Sequence, residues 1–188
     1  NKYLFKKIFS FNILKKGLCV LFCFLNSFAY LQETDTLFPQ KYYYNSGKVS
    51  SEGTLENGLP TGLWRNYYES GTLKSEGRKQ AGKSTGIWTF YLPHGKIEKS
   101  TTYGENLKNG SYQQFDSLGK ISMESWYKND TLEGISKSFK NGKLKAETMY
   151  AAGKKDGVEK VFDEVDGRLV ETTYYNKDEI ESKTRLNQ

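Results

Sequence analysis

The sequence predicts an all-β chain: one elongated sheet of about six stacked hairpin units, preceded by an N-terminal signal helix. Three observations predict it. Two glycine series recur at a period near 24 residues, the residues between them alternate in polarity as strands do, and helical periodicity is absent beyond the first 29 residues. A period of that size describes a stack of one small unit, each unit burying its surface mainly against its neighbours.

The first glycine series is Gly47, Gly71, Gly95, Gly119, Gly142 and Gly167, and the second is Gly62, Gly86, Gly110, Gly134 and Gly157. From first to second glycine the distance is 15 residues in all five units, while the return distance is 9, 9, 9, 8 and 10. One half of the unit is therefore held by strand register, and the other contains a loop tip that accepts an insertion or deletion.

The first strand of each unit follows the first glycine. Two residues on stand Val49, Leu73, Ile97, Ile121, Leu144 and Leu169, and six residues on every residue is small, from Gly53 and Gly77 to Thr101, Ser125, Thr148 and Thr173. The eighth position is Leu55, Lys79, Tyr103, Tyr127, Tyr150 and Tyr175. These even positions are expected on one face, with the charged columns Lys48, Lys96, Lys120, Lys143 and Glu52, Glu76, Glu124, Glu147 on the other. At the eleventh position Gly58, Gly82, Asn106, Asp130, Gly153 and Asp178 are residue types that tolerate positive φ, so a turn belongs there.

The second strand is expected to open at the second glycine and to carry the core aromatics Tyr67, Tyr91, Phe115, Phe139 and Phe162. Trp64, Trp88 and Tyr112 have the opposite parity. If a thin sheet cannot bury both faces, these three rings form an exposed stripe, the one localised binding site the sequence offers; the other reading is that they belong to the packing of the repeat. A single hairpin is marginal in water, so the units must pair edge to edge.

The segments Gly62-Leu-Trp64-Arg-Asn-Tyr67-Tyr-Glu-Ser-Gly71-Thr-Leu73 and Gly86-Ile-Trp88-Thr-Phe-Tyr91-Leu-Pro-His-Gly95-Lys-Ile97 resemble the MORN-repeat-variant family. The resemblance covers about residues 41–180 and implies β-hairpin repeats that serve as scaffolds and binding surfaces. Some bacterial relatives carry an antitoxin-like label. The tryptophan column departs from the pattern later on, as Tyr112, Ser136 and Glu159.

Residues 1–29 read as a signal peptide: five lysines, the apolar run Gly17–Leu25, then Ser27-Phe28-Ala29 before a cut at Tyr30. The apolar run is shorter than the ~20 residues that span a bilayer, which places an uncleaved membrane anchor second. The expected organisation is leader 1–29, tether 30–40, repeat domain 41–180 and polar tail 181–188. The full chain carries 28 basic and 22 acidic residues, a net +6, and removing the five leader lysines leaves 23 against 22. A net of +1 gives no electrostatic case for nucleic acid or anionic lipid as partner.

Both cysteines, Cys19 and Cys23, fall in the leader, which excludes a disulfide or thiolate metal site in the exported chain. His94 is the one histidine and sits in a Pro-His-Gly turn. Glutamates of one column are two strands apart, roughly 10 Å, and read as a solvated ladder with lysine rather than as a hydrolytic pair. No phosphate loop or dinucleotide fingerprint occurs, so no cofactor is expected. The reading is an exported, non-enzymatic module that binds protein or an envelope polymer. A partner-neutralising antitoxin-like protein and an envelope glycan-modifying enzyme are the alternatives. Ligand and oligomeric state stay open.

Overall fold

The computed structural model describes residues 37–186, and these form fourteen strands in one open antiparallel sheet with no helix among them. In chain order the strands are β1 Leu37–Tyr43, β2 Val49–Glu56, β3 Leu59–Tyr67, β4 Leu73–Gln80, β5 Lys83–Tyr91, β6 Ile97–Gly104 and β7 Leu107–Phe115. There follow β8 Ile121–Lys128, β9 Thr131–Leu132, β10 Gly134–Lys140, β11 Lys143–Ala151, β12 Lys154–Phe162, β13 Leu169–Asn176 and β14 Glu179–Arg185. Each strand pairs with the next in sequence, except that β9 pairs only with β8 and β10 takes the place beside β8. The leader and its membrane-anchor alternative lie outside the described residues. Strand β1 begins at Leu37, inside the expected tether, and β14 takes in most of the expected tail. Neither carries the glycine pair that marks the inner repeats.

Two turn types alternate along the sheet. At one end the turns have two residues with both φ positive, as at Asn57 (50°) and Gly58 (80°) or Glu105 (52°) and Asn106 (75°). This turn matches the right-handed twist of the strands it joins. All six eleventh-position residues adopt positive φ, as expected, and so do their predecessors Asn57, Ala81, Glu105, Asn129, Ala152 and Lys177.

At the other end Gly71 N–H donates to Tyr68 O and Tyr68 N–H to Thr72 O, each at 2.8 Å. Here the length varies: the β10–β11 turn contracts to Asn141-Gly142, and the β12–β13 turn lengthens to span Asp163 to Arg168.

Two expectations fail for one physical reason each. Apart from Gly134, the first residue of β10, the second-series glycines do not open strands. Gly62 lies inside β3 at φ 67°, where Gly62, Leu63 and Trp64 stand against Gly53 alone. This wide bulge recurs in each unit. A second bulge shifts register between Asn66 and Tyr67, setting Tyr67 opposite Leu73 and Asn66 opposite Ser75. Leu73 thus joins the face of Glu76, not that of Gly77, and simple parity counting breaks at that point.

Candidate functional site

Cross-strand register assigns every side chain to one of two faces. One row runs across the whole sheet: Lys41, Glu52, Arg65, Glu76, Thr89, Ser100, Gln113, Glu124, Lys137, Glu147, Lys160, Thr172 and Thr184, each opposite the next. Its face is here the Glu face. The neighbouring chain positions point the other way and define the Trp face.

The Trp face holds the core. Trp64 and Trp88 are each 5% exposed and are the two buried hydrophobic side chains among the described residues. Trp88 lies on Gly77, where an added Cβ would come 2.2 Å from Cδ2, and Trp64 lies on Gly53 in the same way. The Trp88 indole N–H donates to Arg78 O at 3.0 Å, and Tyr103 meets its ring edge-on at 6.5 Å. Lys79 Nζ caps the ring at 5.5 Å. The expected exposed stripe of Trp64, Trp88 and Tyr112 is therefore corrected: both tryptophans are packed, and Tyr112 is half-buried against Tyr127 at 5.7 Å. The bulge drops each large ring onto the small residue of the preceding strand, which sequence parity does not show.

Where the tryptophan column ends, polar pairs occupy the slot. Ser125 and Ser136 hydroxyls lie 2.7 Å apart. Glu159 accepts from Thr148 Oγ1 at 2.9 Å, Lys155 Nζ at 2.7 Å and Tyr175 OH at 3.0 Å. Burial pushes the Glu159 carboxyl up, but the bonds from Lys155, Thr148 and Tyr175 outweigh it and hold the group below its ordinary range.

On the Glu face the central row is internally paired. Lys41–Glu52 closes at 3.1 Å, and Arg65–Glu76 and Lys137–Glu147 each at 3.3 Å. Tyr67 OH donates to Glu52 at 2.6 Å and Tyr91 OH to Glu76 at 2.9 Å. Burial first, then the hydrogen bond to Glu52, pushes the Tyr67 hydroxyl up to about 12. These glutamates are held in ion pairs and tyrosine bonds along a sheet, with no cleft between them. Tyr67, Tyr91, Phe115, Phe139 and Phe162, expected as core, are half-buried on this face opposite Leu73, Ile97, Ile121, Leu144 and Leu169.

Exposed apolar side chains occur along the whole sheet, Leu63 and Ile87 among them, but they stand on successive strands on the Glu face of the later repeats. Two residues along from the charged row stand Trp126 (55% exposed), Ile135 (50%), Met149 (43%), half-buried Val158 and Tyr174 (47%), on strands β8, β10, β11, β12 and β13. Ile135, Met149 and Val158 line a shallow depression with Glu147 and Lys160. Isolated exposed apolar residues are ordinary, but a contiguous run beside a polar row marks an interaction surface. Sequence reasoning missed it. The signal was the seventh position after the first glycine, which runs Thr54, Arg78, Thr102 and then turns apolar at Trp126, Met149 and Tyr174.

His94 is an exposed turn residue, and among the described residues no three His, Cys, Asp or Glu side chains gather as metal ligands.

Residues 39–57, 60–78 and 84–104 match the model of the MORN repeat variant, so three consecutive units are repeats of that family. The hairpins continue past the matched residues to Arg185. No curated protein matches the chain.

Proposed function

We propose that this MORN-repeat chain is a non-enzymatic protein-binding module that docks its partner on the apolar stripe of its later repeats and works outside the cytoplasm. The observation that carries the reading is Trp126, more than half exposed and continuous with Ile135 and Met149 beside the row Glu124, Lys137, Glu147 and Lys160. Large aromatic and methionine side chains in such a setting give an interface its apolar centre, and the flanking charges give it register. The flat geometry favours a partner surface over an enclosed small molecule. Export rests on the basic and then apolar character of residues 1–29.

The test is capture of bound protein from envelope extract by the wild-type chain, Trp126→Ser and Tyr91→Phe. A partner retained by Tyr91→Phe and lost from Trp126→Ser supports the stripe. Equal retention by Trp126→Ser places the site elsewhere. N-terminal sequencing of the native protein tests export: a start near Tyr30 supports it, and intact residues 2–29 on cytosolic protein refute it.

A further inference from the structure

We infer that the stripe's occupant is a second copy of this chain, laid Glu face to Glu face about a two-fold axis that runs parallel to the strands between β10 and β11; this rests on the docking reading above.

Four neighbouring strands of the sheet alternate in charge sign along one row. Along β8, β10, β11 and β12 the central row reads Glu124, Lys137, Glu147, Lys160, each in register with the next. Rotation about the stated axis reverses the order of the strands and keeps each residue at its height along them. Glu124 then faces Lys160 of the second copy, and Lys137 faces Glu147 of the second copy. All four charges meet the opposite sign. The same rotation sets Trp126 over Val158 and Ile135 over Met149, so the apolar stripe covers itself in the same step. A two-fold interface has to be self-complementary in this way.

Register makes the match sharp. Moving the axis a full strand spacing, to between β11 and β12, leaves Lys137 over the uncharged Thr172, and moving it half a spacing, onto β11, sets Lys137 over Lys160 and Glu147 over itself. That arrangement opposes like charges and is excluded on the same argument. The first repeats carry an alternation of their own in Lys41, Glu52, Arg65 and Glu76, but beside it stand Thr54 and Arg78 in the columns that hold Trp126 and Met149 later. There Leu63 and Ile87 are exposed in the column of Ile135 and Val158, but with no Trp or Met facing them the charges match over a smaller apolar area. Six strands by seven residues cover about 700 Å² per copy at about 4.8 Å per strand and 3.4 Å per residue. That is near the ~800 Å² per partner of a standard interface. Two such sheets pack with strands within about 30° of alignment, as in a sandwich.

The experiment is sedimentation of the full chain and of charge-inverted variants at about 5–100 µM, with circular dichroism to confirm that each keeps its β-sheet. Wild type is expected to dimerise. Lys137→Glu sets a glutamate against Glu147 of the other copy at both symmetric contacts, and Glu147→Lys sets a lysine against Lys137; each alone should weaken the dimer at least tenfold. An equimolar mixture of the two single variants restores opposite signs at both contacts and should recover a heterodimer, as should the double variant as a homodimer. Arg65→Glu, in the first repeats, should leave dimerisation unchanged. Met149→Lys, at an exposed position, provides a second disruption that does not touch the Lys137–Glu147 pair. A wild-type chain monomeric at 100 µM overturns the inference, as does a dimer indifferent to both inversions and to Met149→Lys. In that case loss of a captured partner by Trp126→Ser leaves the docking reading standing, with a different protein as occupant.

Discussion

Asp130 and Lys108, 22 residues apart, exchange two hydrogen bonds: the Asp130 N–H donates to Lys108 O at 2.8 Å, and the Lys108 N–H donates to Asp130 Oδ1 at 2.7 Å. Three of the two-residue turns dock on the preceding unit in this manner. Asn106 exchanges the same pair with Ser84, and Asp178 with Lys155. Gly82 has no side chain to accept, and the residue it meets is Pro60, which has no N–H to give; only Gly82 N–H to Pro60 O remains, at 2.8 Å. Donor and acceptor are matched at these four steps; the Gly153 turn keeps only the Gly153 N–H to Leu132 O bond, at 2.9 Å, although Leu132 has an N–H.

That matching predicts a coupled pair. Asn106→Gly strips the acceptor from the Ser84 N–H and should cost about 1 kcal/mol, the usual worth of a hydrogen bond that water can partly replace. Ser84→Pro combined with Asn106→Gly recreates the Pro60/Gly82 arrangement and should cost less than the two single changes added. Urea denaturation of the four proteins measures the coupling, and strict additivity would count against the matched pair.

The Gly77–Trp88 contact predicts a steric cycle. Gly77→Ala drives a methyl into a ring 2.2 Å away and should destabilise by about 3 kcal/mol. Trp88→Ala empties a buried slot and should cost about 3–5 kcal/mol, more than Tyr91→Ala on the half-buried row. Gly77→Thr with Trp88→Tyr copies the native Thr101–Tyr112 pair and should recover most of the loss. Thermal melts decide it. A Trp88→Ala protein as stable as wild type would return Trp88 to the surface.

The contrast between tryptophans shows what the sequence could reveal. The glycine spacing gave the hairpin stack, the turn positions and the variable loop tip. It could not give the two bulges, because a bulge changes which face a side chain takes without changing the residue pattern. Parity alone therefore leaves Trp64 and Trp88 open between an exposed stripe and repeat packing, and the structure packs them as the core. Trp126 had no column of tryptophans to draw attention to it; it sits two residues beyond Glu124, where β8 faces the break between β9 and β10. The family match ends at residue 104, so the surface that distinguishes the later repeats lies beyond it.

Exposure of Trp126 predicts a spectroscopic separation. Acrylamide should quench one of the three tryptophans efficiently in the free chain and leave two shielded. Trp126→Ser should remove the accessible fraction and change stability by no more than about 0.5 kcal/mol, as expected for a surface site. A residual emission as quenchable as in wild type would mean that Trp64 or Trp88 is open to solvent.

The Glu159 cluster sets a pH dependence with a definite sign. The folded-state value of Glu159 is depressed below its ordinary 4.5, so the unfolded chain binds the proton first as pH falls. The carboxylate's contribution to stability is therefore full above about pH 5 and is lost as pH drops from 4.5 through the lower folded value. Glu159→Gln keeps the shape of the side chain but not its titration. Urea midpoints between pH 7 and pH 3 should fall less steeply for the variant than for wild type, and parallel curves would mean that Glu159 does not titrate differently on folding.

Removing one whole unit tests whether the pairing rules are local. Deleting residues 86–109 joins Thr85 to Gly110, which stands at the repeat position Gly86 vacates. Asp130 then arrives where Asn106 was and can exchange both hydrogen bonds with Ser84. Gln113 takes the place of Thr89 beside Glu76 and can accept or donate to that carboxylate as it now does to Glu124. The one mismatch is Gly77, which receives Tyr112 in place of Trp88 and leaves part of its slot empty. The shortened chain should therefore fold, with two fewer strands and a modest loss of stability concentrated at Gly77. Gly77→Ser in the shortened chain, which fills that gap as Ser125 does in its own unit, should recover stability although the similar Gly77→Ala substitution is damaging in the full chain. Melting temperatures of the four proteins measure this reversal, and a serine as harmful in the short chain as alanine is in the long one would refute the slot account.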